Sequence, residues 1–490
     1  MLRTGFRIIQ YSLDLQPTRS LSLFAPCHQK TVFNGTSAVT AHEQEFGTSG
    51  CSVKTLASFD VNDYRTAFKN KKMSEIVRAL VIFKLCTYDF LVKNSLSLMK
   101  ISKRLFGSRL YNRCMKATIY SQFVAGETED ELKVAIGKLQ QNAMGPMLCV
   151  PVEEDAGQSQ SRDVWYHENL EMILGCIKLS KMVDPNYPMS QIKLTAVVPG
   201  DLCAVLSEKF PDPHSSMNVL ECIVNGLKGN EIDIDGLDKD NAAALNKALG
   251  RLKSIGELAE NLGVLLLIDA EYTYLNPALR TLSLAMMLQF NRGRPIVAYT
   301  YQNYLKETYG NLQKDCKFVR SKGAGFATKL VRGAYMYKER QMAVDAGYED
   351  PVHQTFEDTT AMYNQSMEHL LDGIQREPDK FYVVIASHNE DTVKHAVQEV
   401  DKRSLSTNNG TIFFGQSYGM SDYLSSALGQ AGFAVYKSTP YGPVDETIPY
   451  LHRRALENSA VLGGTQKERQ LLWKTFVNRI TLGALPRSPA

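Results

Sequence analysis

The stretch Lys329–Tyr335 combines residue types that are unusual in a purely structural strand, since its sequence is Lys-Leu-Val-Arg-Gly-Ala-Tyr. The Leu-Val pair predicts the end of a buried strand, and Lys329 and Arg332 place two cations there. Gly333 allows a backbone or a flat ligand to approach closely. Because unpaired charges are costly to bury, two interpretations stay open. Either both cations reach solvent, or the strand end faces an anionic or electron-accepting ligand.

A second stretch with chemical potential carries the adjacent residues Arg453 and Arg454. On a helix these two side chains would point about 100° apart. Arginine binds carboxylates through paired hydrogen bonds, and Tyr441 and Tyr450 lie nearby in the sequence. The pattern suits a small, partly apolar anion, with a solvated pair of surface arginines as the alternative.

Short apolar runs that alternate with helical segments begin near residue 145. The runs are Pro146–Val152, Ile192–Val198, Val264–Asp269, Ile296–Tyr301, Ala327–Val331, Phe381–Ser387, Thr411–Phe414 and Phe433–Tyr436. Their Val, Ile, Leu, Phe and Tyr content is typical of strands buried on both faces. Alternation of strands and helices predicts a parallel sheet, and eight repeats over roughly 320 residues predict a closed α/β barrel of the (βα)8 TIM type.

In such a barrel the chemistry lies at the C-terminal ends of the strands. The polar residues at the eight predicted ends are Glu153 and Glu154, Lys193, Asp269, Gln302, Lys329 with Arg332, His388 with Asn389, Gln416, and Lys437. A single polar strand end is usually a solvent contact. Polar residues at the ends of all eight strands, on the same side of the barrel, predict a binding site.

Composition divides the remaining chain into parts with different roles. The first 42 residues are Ser-rich and contain four cations and one acid, Asp14, which predicts a mitochondrial transit segment over residues 1–45, with a disordered tail as the alternative. Residues 46–140 are predicted to be helical, and 141–465 to form the barrel, with a helical insertion at 203–260 between strands two and three. Residues 466–490 are predicted to be a C-terminal helix and tail.

The overall composition excludes several classes of function. The net charge of +3 is too small to suggest nucleic acid binding. Nine cysteines without a Cys-x-x-Cys pair suggest neither a disulfide framework nor a zinc site, so no metal is predicted. Gly323 and Gly325 lack the third glycine of a dinucleotide fingerprint and precede a strand, which argues against a Rossmann nucleotide site. No apolar run reaches the length of a membrane span.

Several motifs together resemble mitochondrial proline dehydrogenase (proline oxidase). They are Lys329–Tyr335, Ser387–Val393, Tyr441–Val444, Tyr450–Asn458, Lys193-Leu-Thr, Asp269-Ala-Glu271 and Phe123–Glu127. The resemblance runs from about residue 64 to about residue 475 and implies a distorted (βα)8 barrel that binds FAD. It further implies oxidation of L-proline to Δ1-pyrroline-5-carboxylate, transfer of electrons to ubiquinone, and peripheral contact with the matrix side of the inner mitochondrial membrane.

The resemblance also implies a role for each matching residue. Arg453 and Arg454 would bind the carboxylate, Lys193 and Asp269 would form the polar floor, and Leu330, Tyr335, Tyr441 and Tyr450 would wall the ring. The residues implied for FAD are Gln302, Lys329, Val331, Arg332, Gly333, His388, Asn389, Gln416 and Glu457.

Two other functions remain open at this stage. Hydroxyproline dehydrogenase is a close relative with the same implied barrel and cofactor, although Tyr441-Gly-Pro-Val444 resembles the proline form more. A non-catalytic barrel that serves as a matrix scaffold is the alternative from a different class. The cationic and aromatic set argues against a scaffold.

Overall fold

The computed structural model describes residues 59–150, 162–407, 409–460 and 462–483, without the side chains of 162, 457–465 and 482–483. The predicted transit segment therefore lies outside the described residues. The strands are β1 Met144–Cys149, β2 Met189–Ile192, β3 Leu265–Ile268, β4 Val297–Gln302, β5 Phe326–Val331, β6 Phe381–Ala386, β7 Ile412–Ser417 and β8 Ala434–Pro440.

The described helices fall into those before the first strand and those that follow. The first group is α1 Tyr64–Ala67, α2 Met73–Leu85, α3 Asp89–Lys93, α4 Ser95–Ala117, α5 Ile119–Phe123 and α6 Glu129–Gln140. The second group is α7 Arg162–Val183, α8 Gly200–Lys209, α9 Met217–Leu227, α10 Lys239–Leu262, α11 Asn276–Phe290, α12 Thr308–Ser321, α13 Met336–Ala346, α14 Phe356–Arg376, α15 Glu390–Lys402, α16 Asp422–Gln430, α17 Val444–Ala460 and α18 Leu462–Gly483.

The eight strands form one closed barrel in sequence order, so the fold prediction is confirmed. Every pair is parallel, and β1 closes the barrel by pairing with β8, with Met144 opposite Val435 and Cys149 opposite Pro440. Parallel strands place all their C-terminal ends on one side. The polar residues that follow those ends are therefore brought to one side of the barrel.

The second strand differs from its prediction. It ends at Ile192, and a short 3-10 helix at Leu194–Ala196 follows. Val197 and Val198 are completely buried without being in the sheet. A short apolar run cannot distinguish a buried strand from a buried turn, and here the turn was the outcome.

The last strand also differs, because it continues to Pro440 beyond the predicted Tyr436. Lys437 is therefore inside the strand and not at its end. Its side chain is fully buried on the helix-facing side, where Nζ lies 2.8 Å from an Asp422 carboxylate oxygen.

The helical prediction for the region before the barrel holds for the described part. Within it the chain bends between α2 and α3 and again at Gly107, whose φ of +70° breaks α4. In the 203–260 insertion, the polar piece at 233–238 links α9 to α10 as a turn, as predicted, and the Asp238 side chain caps α10. No described helix is both long and apolar enough to cross a membrane.

Candidate active site

The barrel interior is apolar toward the N-terminal ends of the strands. Met189, Leu267, Ala327, Phe413 and Tyr436 belong to one buried cluster inside the barrel. Side chains along a strand alternate between faces, so the residues two positions later also point inward. Four of these later residues are Gln191, Asp269, Lys329 and Ser438.

A polar network links those four residues across the barrel. Lys329 Nζ lies 2.5 Å from Asp269 Oδ1 and 3.3 Å from Gln191 Oε1. Gln191 in turn donates from Nε2 to Ser438 Oγ at 2.8 Å. Lys329 is only 5% exposed, and its buried charge is thus balanced by a carboxylate instead of reaching solvent.

Lys193 follows β2, and its charge acts on a buried carboxylate, that of Glu271. Thr195 donates its hydroxyl to Glu271 at 2.8 Å. Burial raises the pKa of Glu271, while the charge of Lys193 and the Thr195 hydrogen bond oppose that shift. Glu271 thus lies beside two predicted floor residues, Lys193 and Asp269, although it was not itself assigned a role.

Tyr335 lies at the start of α13 and packs on Tyr272, with 4.4 Å between the ring centroids. Burial raises its pKa, and the charges of Glu271, Arg453 and Asp269 also act on it. Arg453 on α17 is therefore near enough for its charge to act on the ring that follows β5. Arg453, which is predicted to bind the substrate carboxylate, thus acts on Tyr335, which is predicted to pack against the substrate ring.

Arg454 extends toward a different part of the barrel rim. Its guanidinium lies 5.1 Å from the centre of the Tyr450 ring, and Nη1 donates to Ser417 Oγ at 3.0 Å. Ser417 is the last residue of β7. The two arginines thus act on different residues, Arg454 on Ser417 at the end of β7 and Arg453 on Tyr335 after β5, in keeping with their spacing of about 100° around the helix.

His388 is fixed by two serines. Its Nδ1 lies 3.0 Å from Ser421 Oγ and its Nε2 lies 3.1 Å from Ser417 Oγ. Ser417 is shared with Arg454, so the imidazole and the guanidinium are linked through one hydroxyl. Ser421 has a left-handed backbone with φ of +53°, which is costly for a residue other than glycine.

A buried ionic cluster stabilises the turn that carries Ser421. Glu468 accepts hydrogen bonds from the Ser421 and Asp422 amides at 2.7 and 2.9 Å. The Asp422 carboxylate lies 2.8 Å from both Lys71 and Lys437. These residues come from α16, α18, β8 and the chain before α2, so four separate segments fix one turn.

The motif Phe123–Glu127 supports the loop before α17. The Ala125 amide donates to the Pro440 carbonyl at 2.9 Å, and the Gly442 amide donates to the Gly126 carbonyl at 2.9 Å. The Val444 amide donates to Glu127 Oε1 at 3.0 Å. This motif therefore positions the helix that carries the arginines, a role that the motif match alone does not give. In the same loop, Tyr441 forms a hydrogen bond with Cys176, and burial raises its pKa strongly.

Arg332 offers a test of whether the site suits an anionic cofactor such as FAD. Its Nη2 donates to the Phe356 carbonyl and to Thr360 Oγ1, and the guanidinium lies 3.9 Å from the Phe356 ring centre. Its Nη1 is buried and has no hydrogen-bond partner among the described residues, and burial lowers its pKa. A buried guanidinium N–H without a partner fits an anionic group such as a phosphate.

The surroundings of residue 333 require a glycine at this position. Its φ is +146°, and a Cβ added there would come within 1.6 Å of the Tyr304 ring. The close approach predicted at this glycine therefore exists. In the structure it is made by Tyr304.

Other residues predicted to contact FAD have partners within the protein. Gln302 donates to the Glu271 carbonyl and accepts from Asn276, Asn389 caps α15 through the Thr392 amide, and Gln416 bonds Ser387 and Ser425. The Val331 carbonyl accepts from the Asn303 amide. These contacts give each residue a structural role, and their cofactor roles stay predictions.

A few predicted residues cannot be placed or lie elsewhere. Glu153, Glu154 and the Glu457 side chain lie outside the described residues. Leu330 is completely buried in the core between the strands and the helices, in the main cluster and not in the cluster inside the barrel. This position does not support the prediction that Leu330 packs against the substrate ring.

Comparisons with known proteins give the family. A family model described as proline dehydrogenase matches residues 135–467. A hydroxyproline dehydrogenase of Xenopus laevis is 42% identical over 414 residues, which cover 84% of this chain and 89% of the relative. Human proline dehydrogenase 1, mitochondrial, is 28% identical over 597 residues, which cover 96% of this chain and 99% of the relative.

The fold also matches a solved structure. The crystal structure of proline utilization A from Bdellovibrio bacteriovorus, inactivated by N-propargylglycine, superposes with a TM-score of 0.57 at 18% identity. The match covers 83% of this chain and 40% of that longer chain, and it shows the shared barrel. Since the family model spans more than half of the sequence, this chain belongs to the proline dehydrogenase family of oxidoreductases.

Proposed function

We propose that this chain is an FAD-dependent dehydrogenase that oxidises the ring of a pyrrolidine-2-carboxylate, with trans-4-hydroxy-L-proline as the preferred substrate. The observation that carries the proposal is the position of Arg453 and Arg454. Both lie at the polar end of the barrel, one near Tyr335 and the other over Tyr450.

The substrate would be bound by its carboxylate and its ring. Arg453 and Arg454 would hold the carboxylate, while Tyr335, Tyr441 and Tyr450 would wall the ring. Lys193 and Asp269 would form a polar floor, and the 2.5 Å contact between Asp269 and Lys329 fixes the carboxylate of that floor. Fixing the anion orients the ring carbon beside nitrogen toward the acceptor, which is a proximity effect.

FAD would be held by residues at the ends of β4 to β7 and after them. The set is Gln302, Lys329, Val331, Arg332, Gly333, His388, Asn389, Gln416 and Glu457. The bound flavin supplies acceptance of a hydride from the ring carbon. Arg332 would meet an anionic part of the cofactor with its free Nη1, and the Lys329 ammonium would stabilise negative charge that develops at the acceptor.

The relatives favour the hydroxylated substrate. The Xenopus laevis relative at 42% identity is named hydroxyproline dehydrogenase, whereas the human relative at 28% is named proline dehydrogenase. Oxidation of trans-4-hydroxy-L-proline would give Δ1-pyrroline-3-hydroxy-5-carboxylate. L-Proline, with Δ1-pyrroline-5-carboxylate as its product, is the second candidate, since Tyr441-Gly-Pro-Val444 resembles the proline form.

The electrons would pass to ubiquinone, and the chain would act on the matrix side of the inner mitochondrial membrane. Support comes from the basic, acid-poor N-terminal sequence and from the human relative's name, which includes the word mitochondrial.

One experiment tests the proposal and separates the two substrates. Purified holoenzyme is mixed anaerobically with each substrate, and bleaching of the flavin absorbance is followed. We expect bleaching with both and a higher kcat/KM for trans-4-hydroxy-L-proline in steady-state assays with a soluble quinone. A higher value for L-proline would transfer the assignment to the second candidate. A protein that stays colourless after FAD is added would overturn the flavoenzyme proposal.

A further inference from the structure

Helix α4 is strongly basic. It contains six cations and no acid, and the cations are Lys100, Lys103, Arg104, Arg109, Arg113 and Lys116. Lys103 and Lys116 form ion pairs with Asp445 and Glu127. The other four cations are exposed and form no ion pair with the described residues. This helix therefore presents unbalanced positive charge at the surface.

The middle of the same helix exposes large apolar side chains. Its buried residues are Ser95, Met99, Tyr111 and Met115, which lie toward its two ends, whereas every residue from 104 to 110 is exposed. The exposed apolar residues are Ile101 at 51%, Leu105 at 74%, Phe106 at 59% and Leu110 at 51%. We call residues 100–110 the basic apolar tip.

A glycine shapes the tip. Gly107 has φ of +70° and ψ of +160°, a combination that is essentially restricted to glycine. Apart from the adjoining backbone of its own helix and its two neighbours, no atom lies within 4 Å of the position that a Cβ would take there. The helix therefore bends in open surroundings, directly after Leu105 and Phe106.

We propose that the basic apolar tip docks the enzyme on a lipid bilayer that contains anionic phospholipid. This deepens the proposed function, since it names the surface through which the chain would meet its membrane. Exposed leucine and phenylalanine insert into the interface between headgroups and acyl chains, and nearby lysine and arginine are attracted to anionic headgroups. The tip has both features within eleven residues.

Charge argues against the other occupants of this surface. A second copy docked through the same surface would bring the four cations of α4 that form no ion pair with the described residues against the same four. Residues 1–58 of the same chain contain five cations and three acids, so they do not supply the missing negative charge either. A nucleic acid would match the cations but would leave Leu105 and Phe106 without an apolar partner.

The tip is connected to the helix that would bind the substrate. Ser95 Oγ on α4 lies 2.5 Å from His452 Nδ1 on α17, and Lys103 lies 2.8 Å from Asp445 on the same helix. His452 directly precedes Arg453. A bilayer bound at the tip would thus lie beside the helix that carries the arginines, which suits an electron acceptor dissolved in the membrane.

The test is sedimentation of the full-length holoenzyme with vesicles, which needs no substrate and is therefore independent of the proposed activity. Vesicles of phosphatidylcholine alone are compared with vesicles that also contain phosphatidylglycerol, at low and high salt. The apolar variant is Leu105→Ser with Phe106→Ser, and the charge variant is Arg104→Gln with Arg109→Gln. The control is Val344→Ser, because Val344 is 77% exposed on α13, away from the tip.

We expect binding to the anionic vesicles that weakens with salt. It should fall about thirty-fold in the charge variant, since each cation contributes about 1 kcal/mol near an anionic surface, and at least as much in the apolar variant. Val344→Ser should bind normally, and the tip variants should keep activity with a soluble quinone. Equal binding by wild type and both tip variants would overturn the proposal. So would a dimer in solution that the apolar variant abolishes, or nucleic acid binding that only the charge variant loses.

Discussion

The two ends of the barrel interior use the same strands for opposite purposes. On β3, Leu267 is fully buried in the apolar cluster, and Asp269, two residues later, binds Lys329. On β2, Met189 belongs to the same cluster, and Gln191 belongs to the polar network. The apolar end gains stability from burial, whereas the polar end must balance its charges with partners. On these two strands the apolar layer and the polar layer are therefore adjacent inward-facing positions, two residues apart.

The largest effect is expected at the apolar end. Leu267→Ala should lower the free energy of unfolding by about 2–5 kcal/mol, because it removes a fully buried side chain and leaves a cavity. Urea denaturation measures this loss. At temperatures where the variant is folded, kcat/KM should stay near that of the wild type. A variant with normal stability and reduced kcat/KM would show that the two ends are not separate.

At the polar end, Arg454→Met should act on catalysis and not on stability. A charged hydrogen bond of this kind contributes roughly 1.5–3 kcal/mol, so kcat/KM should fall about ten- to over a hundred-fold. Binding of a tetrahydrofuran carboxylic acid should weaken in parallel, and Arg454→Lys should not rescue it because lysine lacks the planar fork. Arg320→Met is the matched control, since the partly buried Arg320 pairs with Glu377 near the start of β6, away from the polar end. Flavin reduction at the normal rate at low substrate would refute the carboxylate role.

A smaller effect is expected from Lys329→Met, which removes the cation from the polar network. The flavin reduction potential or the retention of FAD should fall, because the positive charge near the acceptor is lost. Spectroelectrochemistry and flavin content after gel filtration measure these two quantities. If both remain unchanged, Lys329 serves only to balance Asp269.

The smallest effect concerns Glu468, which supports the polar end from outside the barrel. Burial and the nearby Asp422 carboxylate raise the pKa of Glu468 from 4.5 to about 7, against the charges of Lys437 and Lys71. The folded state therefore binds this proton more tightly than the unfolded chain. The resulting stability is present at low pH and is lost as the pH rises through about 7.

Glu468→Gln should therefore flatten the fall of Tm between pH 4.5 and about pH 7. The pKa of Asp422 is lowered by Lys437 and Lys71 despite its burial, so its contribution is lost only in stronger acid and does not enter this window. Glu377→Gln, at a surface carboxylate, is the control and should keep the slope of the wild type. An unchanged slope in Glu468→Gln would show that another group titrates.

The sequence predicted the barrel and its charged strand ends because both depend on local patterns. Apolar runs mark the strands, and the residues that follow them, such as Asp269, are found by counting. Gln191 and Ser438 were missed because they are uncharged and lie inside the polar layer, where only the register between strands brings them together. Glu468 was missed for a different reason, since its hydrogen-bond partner Ser421 is 47 residues away.

Predictions from the sequence were also wrong where a residue type can be buried in two different environments. Lys437 was read as a strand-end cation, but it is buried against Asp422 on the helix side of β8. The run Ile192–Val198 is predicted to be a strand, but only Ile192 belongs to β2, and the rest forms a 3-10 helix and a buried turn. In both cases the side chain environment depends on packing between distant elements, which no local pattern records.

The contacts of α18 with the start of the described chain have a consequence for biosynthesis. Arg479 donates to the Phe68 and Lys71 carbonyls, and Glu468 reaches the Ser421 turn from the same helix. During translation these contacts cannot form until the last helix has left the ribosome. A nascent chain that ends at residue 467 would contain every position matched by the family model and would still lack Glu468. We therefore expect the turn that carries Ser421 to be completed only after synthesis, with the partly made chain relying on chaperones until then.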